Sequence, residues 1–487
     1  MTKQQLITLI IAAPEDAYTQ IMRLRPLSVE TQKQILDQYD PYQHKVMVDK
    51  VAYPDKEIKN DKGETINTES VNRIPIPLQQ MIASRAAAFL CANPIKLSAT
   101  PDGADQEALL AALQKTWQDN KLDFKHQDEA EKWMAATICA ELWYTDDASD
   151  EYWSDVEGID AKFKLRMKLL SPFFGDVIIP IFDQGGDLIA GARGYFLLVG
   201  DDQTKQEEHL DIYTDDVTYR GVKGEGGWTF TPESWPIGKI PMIIYQREFT
   251  EWHSVQPMIE RLEIKQSRHA NTNDYFDSPI VFVEGDLQSM ASKGDDGKVL
   301  VGAIGSKAYY LSWDHAPEST KMEIENLLKF IHACTDTPDI SFEALKGIGQ
   351  TSGFALQFMF MGAHLKAAKN AGPFGEGIQR RINFLMAALT KLGTLKVEGD
   401  NGTKKQPLSS ALKMKVTPVF EYFLPKNIDE IIQTLTVAVT GGIMSKMSAV
   451  KVNPYITDPD AEMKQIKKEA DDLNNSAGGL DSTMNAA

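Results

Sequence analysis

The stretch VQPMIERLEIKQSRHANTNDYF, Val255 to Phe276, changes character halfway along its length. Val255, Ile259 and Leu262 recur at helical spacing, and Ser254 is placed to cap the first turn. Gln266, Arg268, His269, Asn271 and Asn273 then make the second half polar nearly all round. A helix with such a second half is expected to gain little by burial in its own subunit. A second helix follows, with Thr320 and Glu323 in capping-box spacing, Ile324, Leu327, Leu328 and Ile331 on one stripe, and Thr337-Pro338 as its stop. Between the two, Ile280 to Val283, Val299 to Val301 and Ala308 to Leu311 read as short strands around a Gly294-Asp295-Asp296-Gly297 turn. The pattern predicts a small β-rich module held out on two helical arms.

Working upstream, Met1 to about Asn60 is polar with helical tendency, and Asp61 to Glu64 reads as a turn. Pro75 and Pro77 suit the entrance of a helix carrying Leu78, Met81, Ile82 and Phe89, which Asn93-Pro94 ends. From Glu107 to about Leu142 the period stays helical, with Leu113, Trp117, Phe124, Trp133 and Ile138 as core positions. Strands are predicted at Val177 to Phe182 and Leu188 to Leu198 across Gly185-Gly186, and around Leu210 to Arg220 and Trp228 to Phe230 across Gly221 to Gly227. Downstream of Pro338, a loop containing Gly347, Gly349 and Gly353 precedes an apolar helix, Phe354 to Asn370. A helix from Ile378 to Leu392, a strand at Lys413 to Phe423 and a helical part from Asn427 follow, with Asn474 to Ala487 expected to be disordered. The class is α+β, mainly helical.

At 487 residues the chain exceeds the size at which one core keeps growing, so more than one packing unit is expected. Hydrophobic content of 43% with 25% charged residues fits a folded globular protein. Cys91, Cys139 and Cys334 lie far apart, which suggests neither a disulfide framework nor a thiolate metal site. The apolar run Leu6 to Ala13 is short and meets Pro14, Glu15 and Asp16, so neither a cleavable signal nor a bilayer span is expected there. A formal charge of −18 argues against tight or sequence-reading DNA binding, which relies on clustered Lys and Arg.

No GxxxxGK[ST] segment is present to cradle a nucleotide, and Gly347-Ile348-Gly349-Gln350-Thr351-Ser352 fails the dinucleotide pattern at its last position. The acidic pairs Asp146-Asp147, Asp201-Asp202, Asp215-Asp216 and Asp295-Asp296 have the ligand chemistry for Mg²⁺ but sit in turn-rich polar contexts. The eight histidines include no HExxH or HxH spacing, with His269 and His364 reading as helix-surface and core residues. No catalytic residue, metal or cofactor is predicted, and no membrane partner.

Several ordered segments carry a resemblance: Val71 to Pro77, Asn93-Pro94-Ile95, Gly238 to Met242, Val255 to Glu284, Thr337 to Ser341, Ser352 to Leu356, Leu424 to Glu430, and Asn453-Pro454 with Asp458 to Glu462. Together they resemble the siphophage portal, or head-to-tail connector, family. The resemblance implies a portal fold in which 1–253 and 352–426 form a wing, 254–276 and 319–336 a long-helix stem, 277–318 a clip, 337–351 a tunnel loop and 427–487 a helical crown. It implies a homo-oligomeric ring, usually of twelve copies, at one capsid vertex of the virion, assembled in the host cytoplasm. Double-stranded DNA would pass through without sequence specificity during packaging and ejection, and the partners would be the terminase large subunit, a head-completion adaptor, and the major capsid and scaffolding proteins. On that resemblance Glu343, Lys346, Ile348 and Gln350 are candidates to face DNA, and Asp286, Gln288, Lys293 and Lys298 to contact terminase or adaptor. A metal-dependent phage nuclease and a structural minor head protein without a channel are the alternatives.

Overall fold

The computed structural model describes residues 1–24, 30–149, 151–200, 204–277, 280–285, 287–289, 301–311, 316–339, 358–399, 402–422, 428–456 and 458–470. Helices and antiparallel strands are mixed along the chain, which is α+β as the changing periodicity predicts. Two compact units are present: Met1–Pro338 with Gly362–Phe423, and Asp339–Met361 with Leu424–Ala487.

The first unit opens with α1 (Lys3–Ala12), α2 (Pro14–Arg23), α3 (Gln32–Tyr39), the single turn α4 (Lys45–Val48) and a hairpin, β1 (Lys56–Lys59) with β2 (Thr65–Glu69). Next comes α5 (Leu78–Cys91), so Pro75 and Pro77 lie ahead of the helix and not in its first turn. After β3 (Lys96–Ala99), α6 (Ala104–Asp119) and α7 (Leu122–Ala136) join α5 in the largest core, where Leu109, Leu113, Trp117 and Trp133 are buried. Phe124 does not belong to that core and is 85% exposed. The buried stripe of α7 is Leu122, His126, Glu129, Ala130 and Trp133, and at about 100° per residue Phe124 falls on the opposite side.

The helix also stops short of Leu142. Thr137 takes a left-handed φ of 62°, and β4 (Ile138–Asp147) begins. Ile138, Ala140 and Leu142 enter one buried cluster while Cys139 and Trp143 enter another. A strand covered on both faces has no polar alternation, so its apolar run looks the same as a buried helix.

Following β5 (Ile159–Ala161) and β6 (Phe163–Leu170), five strands form an antiparallel meander: β7 (Val177–Phe182), β8 (Leu188–Val199), β9 (Lys205–Tyr213), β10 (Val217–Gly224) and β11 (Gly227–Ser234). Leu6, Ile10, Ala17 and Ile21 of α1 and α2 pack on it. The expected β7–β8 hairpin turns at Gly186, whose φ of 89° suits glycine. The stretch expected as one strand, Leu210 to Arg220, instead bends between Tyr213 and Val217, where the Thr214 hydroxyl donates to Val217 O at 2.7 Å. Gly221 lies inside β10, where a Cβ would collide with Leu210 O and the Phe230 ring.

β12 (Met242–Gln246) completes a second sheet, β12-β4-β6. A short 3₁₀ turn, His253–Val255, leads into α8 (Gln256–Asp277), so Ser254 lies within that turn and does not cap the helix. β13 (Ile280–Glu284) pairs with β16 (Lys307–Leu311), and β14 (Leu287–Ser289) with β15 (Val301–Gly302). Starting a turn ahead of Thr320, α9 (Ala316–Cys334) then runs back. Its Glu323 reaches α8 instead of closing a capping box.

Where the sequence predicts two helices, α10 (Met361–Leu392) is continuous through Pro373. The lost helical hydrogen bond is offset by burial of Phe374, Ile378, Ile382 and Leu385 on one face. The hairpin β17 (Gly393–Gly399) with β18 (Gly402–Pro407) has no counterpart in the sequence reading, and β17 also pairs with β5. β19 (Val416–Val419) is shorter than the expected Lys413 to Phe423 strand and pairs with β3.

In the second unit, α11 (Ile428–Thr440) ends in a glycine cap in which Ile443 N donates to Ala438 O at 3.0 Å and Gly442 takes a φ of 69°. Ser445 caps α12 (Lys446–Val452), and Asp458 opens a last helix at 459–470. The Gly294 to Gly297 turn, the glycine loop to Thr351, the start of the helix at Phe354 and the tail Asn474 to Ala487 lie outside the described residues.

Candidate functional site

The polar half of α8 is satisfied within its own chain on one face, which corrects the sequence expectation for that helix. Glu263, Ser267 and Asn271, four residues apart, accept hydrogen bonds from the backbone N–H groups of Ile76 (2.8 Å), Ile74 (2.9 Å) and Asn72 (2.8 Å). Four helical residues rise about 6.0 Å and two extended residues advance about 6.6 Å, so the two ladders stay in step. Pro75 falls between donors and Pro77 just after the last, positions where the missing N–H costs nothing, and they hold Ile74 and Ile76 in the extended region. Arg73 points the other way and donates to Val46 O and Tyr53 O, each at 2.9 Å, and to Asp55 at 2.8 Å. The segment Val71 to Pro77 is thus a strap laid antiparallel along α8. Buried Glu263 also meets His44 Nδ1 at 2.6 Å, while Asn271 donates to the Tyr53 hydroxyl at 2.6 Å.

The first half of α8 is held by apolar contact. Val255, Ile259 and Leu262 pack with Ile331 of α9 and with Leu78 and Ile82 of α5, and Ile324, Leu327 and Leu328 lie against them. Across the same pair, Glu323 of α9 accepts from Arg261 at 2.9 Å and Lys265 at 2.8 Å. Arg268 and Asn273 of α8, and Met322 and Phe330 of α9, remain exposed.

A second constellation gathers where α8 begins, α9 ends and α10 begins. Glu251, whose side chain is 4% exposed, accepts from Arg247 at 2.5 Å, Lys366 at 2.6 Å and Asn370 at 3.0 Å. Burial pushes its carboxyl up, but the Arg247 and Lys366 charges outweigh burial and hold the pKa at about 2. Lys366 also donates to Thr335 O at 2.6 Å, and Arg85 donates to Pro338 O at 2.8 Å.

The third is fully buried. Arg381 of α10 grips Glu141 of β4 through Nε at 2.8 and 2.9 Å, Glu129 of α7 at 2.6 Å, and His126 Nε2 at 2.6 Å. Tyr245 of β12 also donates to Glu141, and Trp143 Nε1 does so at 2.7 Å. Burial raises Glu129 well above the usual carboxylate range, whereas at Glu141 the guanidinium overcomes burial and lowers the pKa. Burial, then the Arg381 charge, pushes His126 well below the usual imidazole range. One guanidinium thus holds both Glu129 and Glu141, and the network ties α7, β4, β12 and α10 together.

Of the residues predicted from sequence, Glu343, Lys346, Ile348, Gln350, Asp286, Lys293 and Lys298 lie outside the described residues, and Gln288 is placed only as backbone in β14. Asp146 pairs with Lys164 at 3.2 Å, and Asp215 and Asp216 both pair with Lys3. No group of three or more metal-type ligands occurs among the described residues. Among them, too, no helix is long and apolar enough to cross a membrane. Glu251, Lys366, Arg381, Glu129 and Glu141 were not singled out from sequence. Glu141 inside the apolar run Ile138 to Tyr144 was the available signal.

The family model described as "Phage portal protein, SPP1 Gp6-like" matches residues 30–476. The portal protein of Bacillus phage SPP1 is 29% identical over 163 residues, a stretch that covers 34% of this chain and 29% of the relative's length. With the match extending from the N-terminal helices past the strap, the paired helices and the Arg381 network, the chain belongs to the phage portal protein family.

Proposed function

We propose that this chain is the subunit of a portal ring, usually of twelve copies, through which double-stranded DNA enters and leaves a tailed-phage capsid. Phage portal proteins are structural components of the virion capsid. The observation that carries the reading is the family match across residues 30–476. In it, α8 and α9 are the stem, 277–318 the clip, 337–351 the tunnel loop, 1–253 with 352–426 the wing and 427–487 the crown. The clip, through Asp286, Gln288, Lys293 and Lys298, docks the terminase motor and later a head-completion adaptor.

Support comes from the helix pair itself. Met322 and Phe330 stand 60% and 57% exposed on α9, apolar surface that a neighbouring copy would cover. The charge of −18 suits a conduit, since repelled phosphates stay near the axis and no counterion-release affinity stalls the duplex. Glu343, Lys346, Ile348 and Gln350 face the DNA, with Lys346 making transient phosphate contacts. Native mass and electron micrographs of the purified protein test the reading. A closed ring with a central hole is expected, and a single copy persisting at high concentration would refute it.

A further inference from the structure

The chain leaves the first unit at Pro338 and re-enters it at Gly362. Both points are held by one cluster. On the outgoing side, the chain just past the end of α9, Thr335 to Pro338, presents backbone carbonyls that no helix satisfies. Lys366 supplies Thr335 O at 2.6 Å, His332 Nδ1 lies 3.0 Å from Thr337 O, and Arg85 reaches Pro338 O at 2.8 Å. On the returning side, a Cβ at position 362 would stand 3.0 Å from Asp336 Oδ1, tighter than nearly all real contacts. Glycine at that position lets the first turn of α10 approach the outgoing chain, and Asp336 itself takes a left-handed φ of 49°.

Lys366 joins the two sides. Its ammonium is shared between Thr335 O and the Glu251 carboxylate, and its side chain is only 13% exposed. A cation so enclosed needs its counter-charge, so removing Glu251 strands Lys366 as well as Arg247. Glu251 also precedes Trp252, fully buried at the entrance to α8. The start of α8, the end of α9 and the start of α10 therefore depend on one carboxylate.

We infer that Glu251 and Lys366 are positioning residues that fix the exit and re-entry points of the segment between Pro338 and Gly362, and through them influence DNA passage. The second half of this inference rests on the conduit reading. Neither residue touches DNA; both act through Thr335 and the first turns of α10.

The test uses full-length protein carrying Lys366→Met, Lys366→Arg or Glu251→Gln. Hydrogen exchange at Thr335 to Asp339 and Gly362 to Lys366 should rise at least tenfold in Lys366→Met and Glu251→Gln, with β4 and β12 unchanged and with Lys366→Arg near wild type. A uniform rise along the chain, or no rise, overturns the inference. In phage carrying Lys366→Met, packaged genome length should depart from wild type and return with Lys366→Arg. Unchanged genome length despite loosened ends would remove the role in DNA passage. The conduit reading is judged separately, by whether the unsubstituted protein forms a ring with a central hole.

Discussion

Replacing Arg381 by Met keeps roughly the volume of the side chain and removes its charge, so the loss reports the buried network with little cavity cost. Glu141 would be left as an ionised group with no counter-charge and only the Tyr245 and Trp143 donors. Breaking a buried pair on one side costs about 3–5 kcal/mol, more than any surface ion pair in this chain contributes. With a urea slope of about 3 kcal/mol per molar, the unfolding midpoint at neutral pH should fall by about 1–1.7 M. The double variant Arg381→Met with Glu141→Gln should recover at least half of that, because it removes the stranded charge too.

The pH dependence has a definite sign. Glu141 is depressed below its ordinary value of 4.5, so its contribution is complete above pH 4.5 and is lost as the pH falls through the folded value. Glu129 is raised, so it costs stability as the pH climbs above 4.5. In Arg381→Met Glu141 loses its counter-charge and keeps only the Tyr245 and Trp143 donors, and protonation relieves its isolation, so the gap between wild type and variant should narrow from pH 7 to pH 5. A midpoint shift under about 0.3 M, or a gap independent of pH, would show that Arg381 does not neutralise Glu141 in the folded protein.

Three further substitutions probe the strap along α8 and the packing beside the Arg381 network. Ser267→Ala and Asn271→Ala each leave a strap N–H without its acceptor, at Ile74 and Asn72, and each should cost about 1–3 kcal/mol with loss of exchange protection at that amide. Protection that persists would mean the strap is held by something other than this ladder. Gly377→Ala places a methyl group inside the Tyr245 ring, so Tyr245 must swing away from Glu141; a loss of about 1–3 kcal/mol in thermal unfolding is expected, and none would mean the ring moves freely.

Much of the architecture was legible where one local signal decides the matter. The β7–β8 hairpin follows from its glycine turn, and α8 and α9 follow from their apolar stripes. β4 was misread because a strand buried on both faces loses the alternation that identifies it. Phe124 was misread because its helix begins where the left-handed Lys121 places it, and that phase decides which side faces the core. Apart from Glu141 in its apolar run, the networks at Glu251 and Arg381 were not legible, for a different reason. Arg381 lies 240 residues from Glu141, and Lys366 lies 31 residues from Thr335, so only tertiary structure reveals which charges meet.

Val71 to Pro77 joins sequence to mechanics. Its prolines read as a helix entrance, yet each removes a donor at a position where α8 offers no acceptor, leaving donors at alternate residues to match a four-residue helical repeat. A seam of this kind holds by hydrogen bonds with a net worth of about 1 kcal/mol each, whereas Val255, Ile259 and Leu262 each bury an apolar side chain worth about 1.5–3 kcal/mol. The two halves of α8 are therefore bound unequally. Local opening costs less at the end next to β13 than at the end next to Glu251. On the ring reading proposed above, that gradient would put compliance beside the clip and stiffness beside the wing.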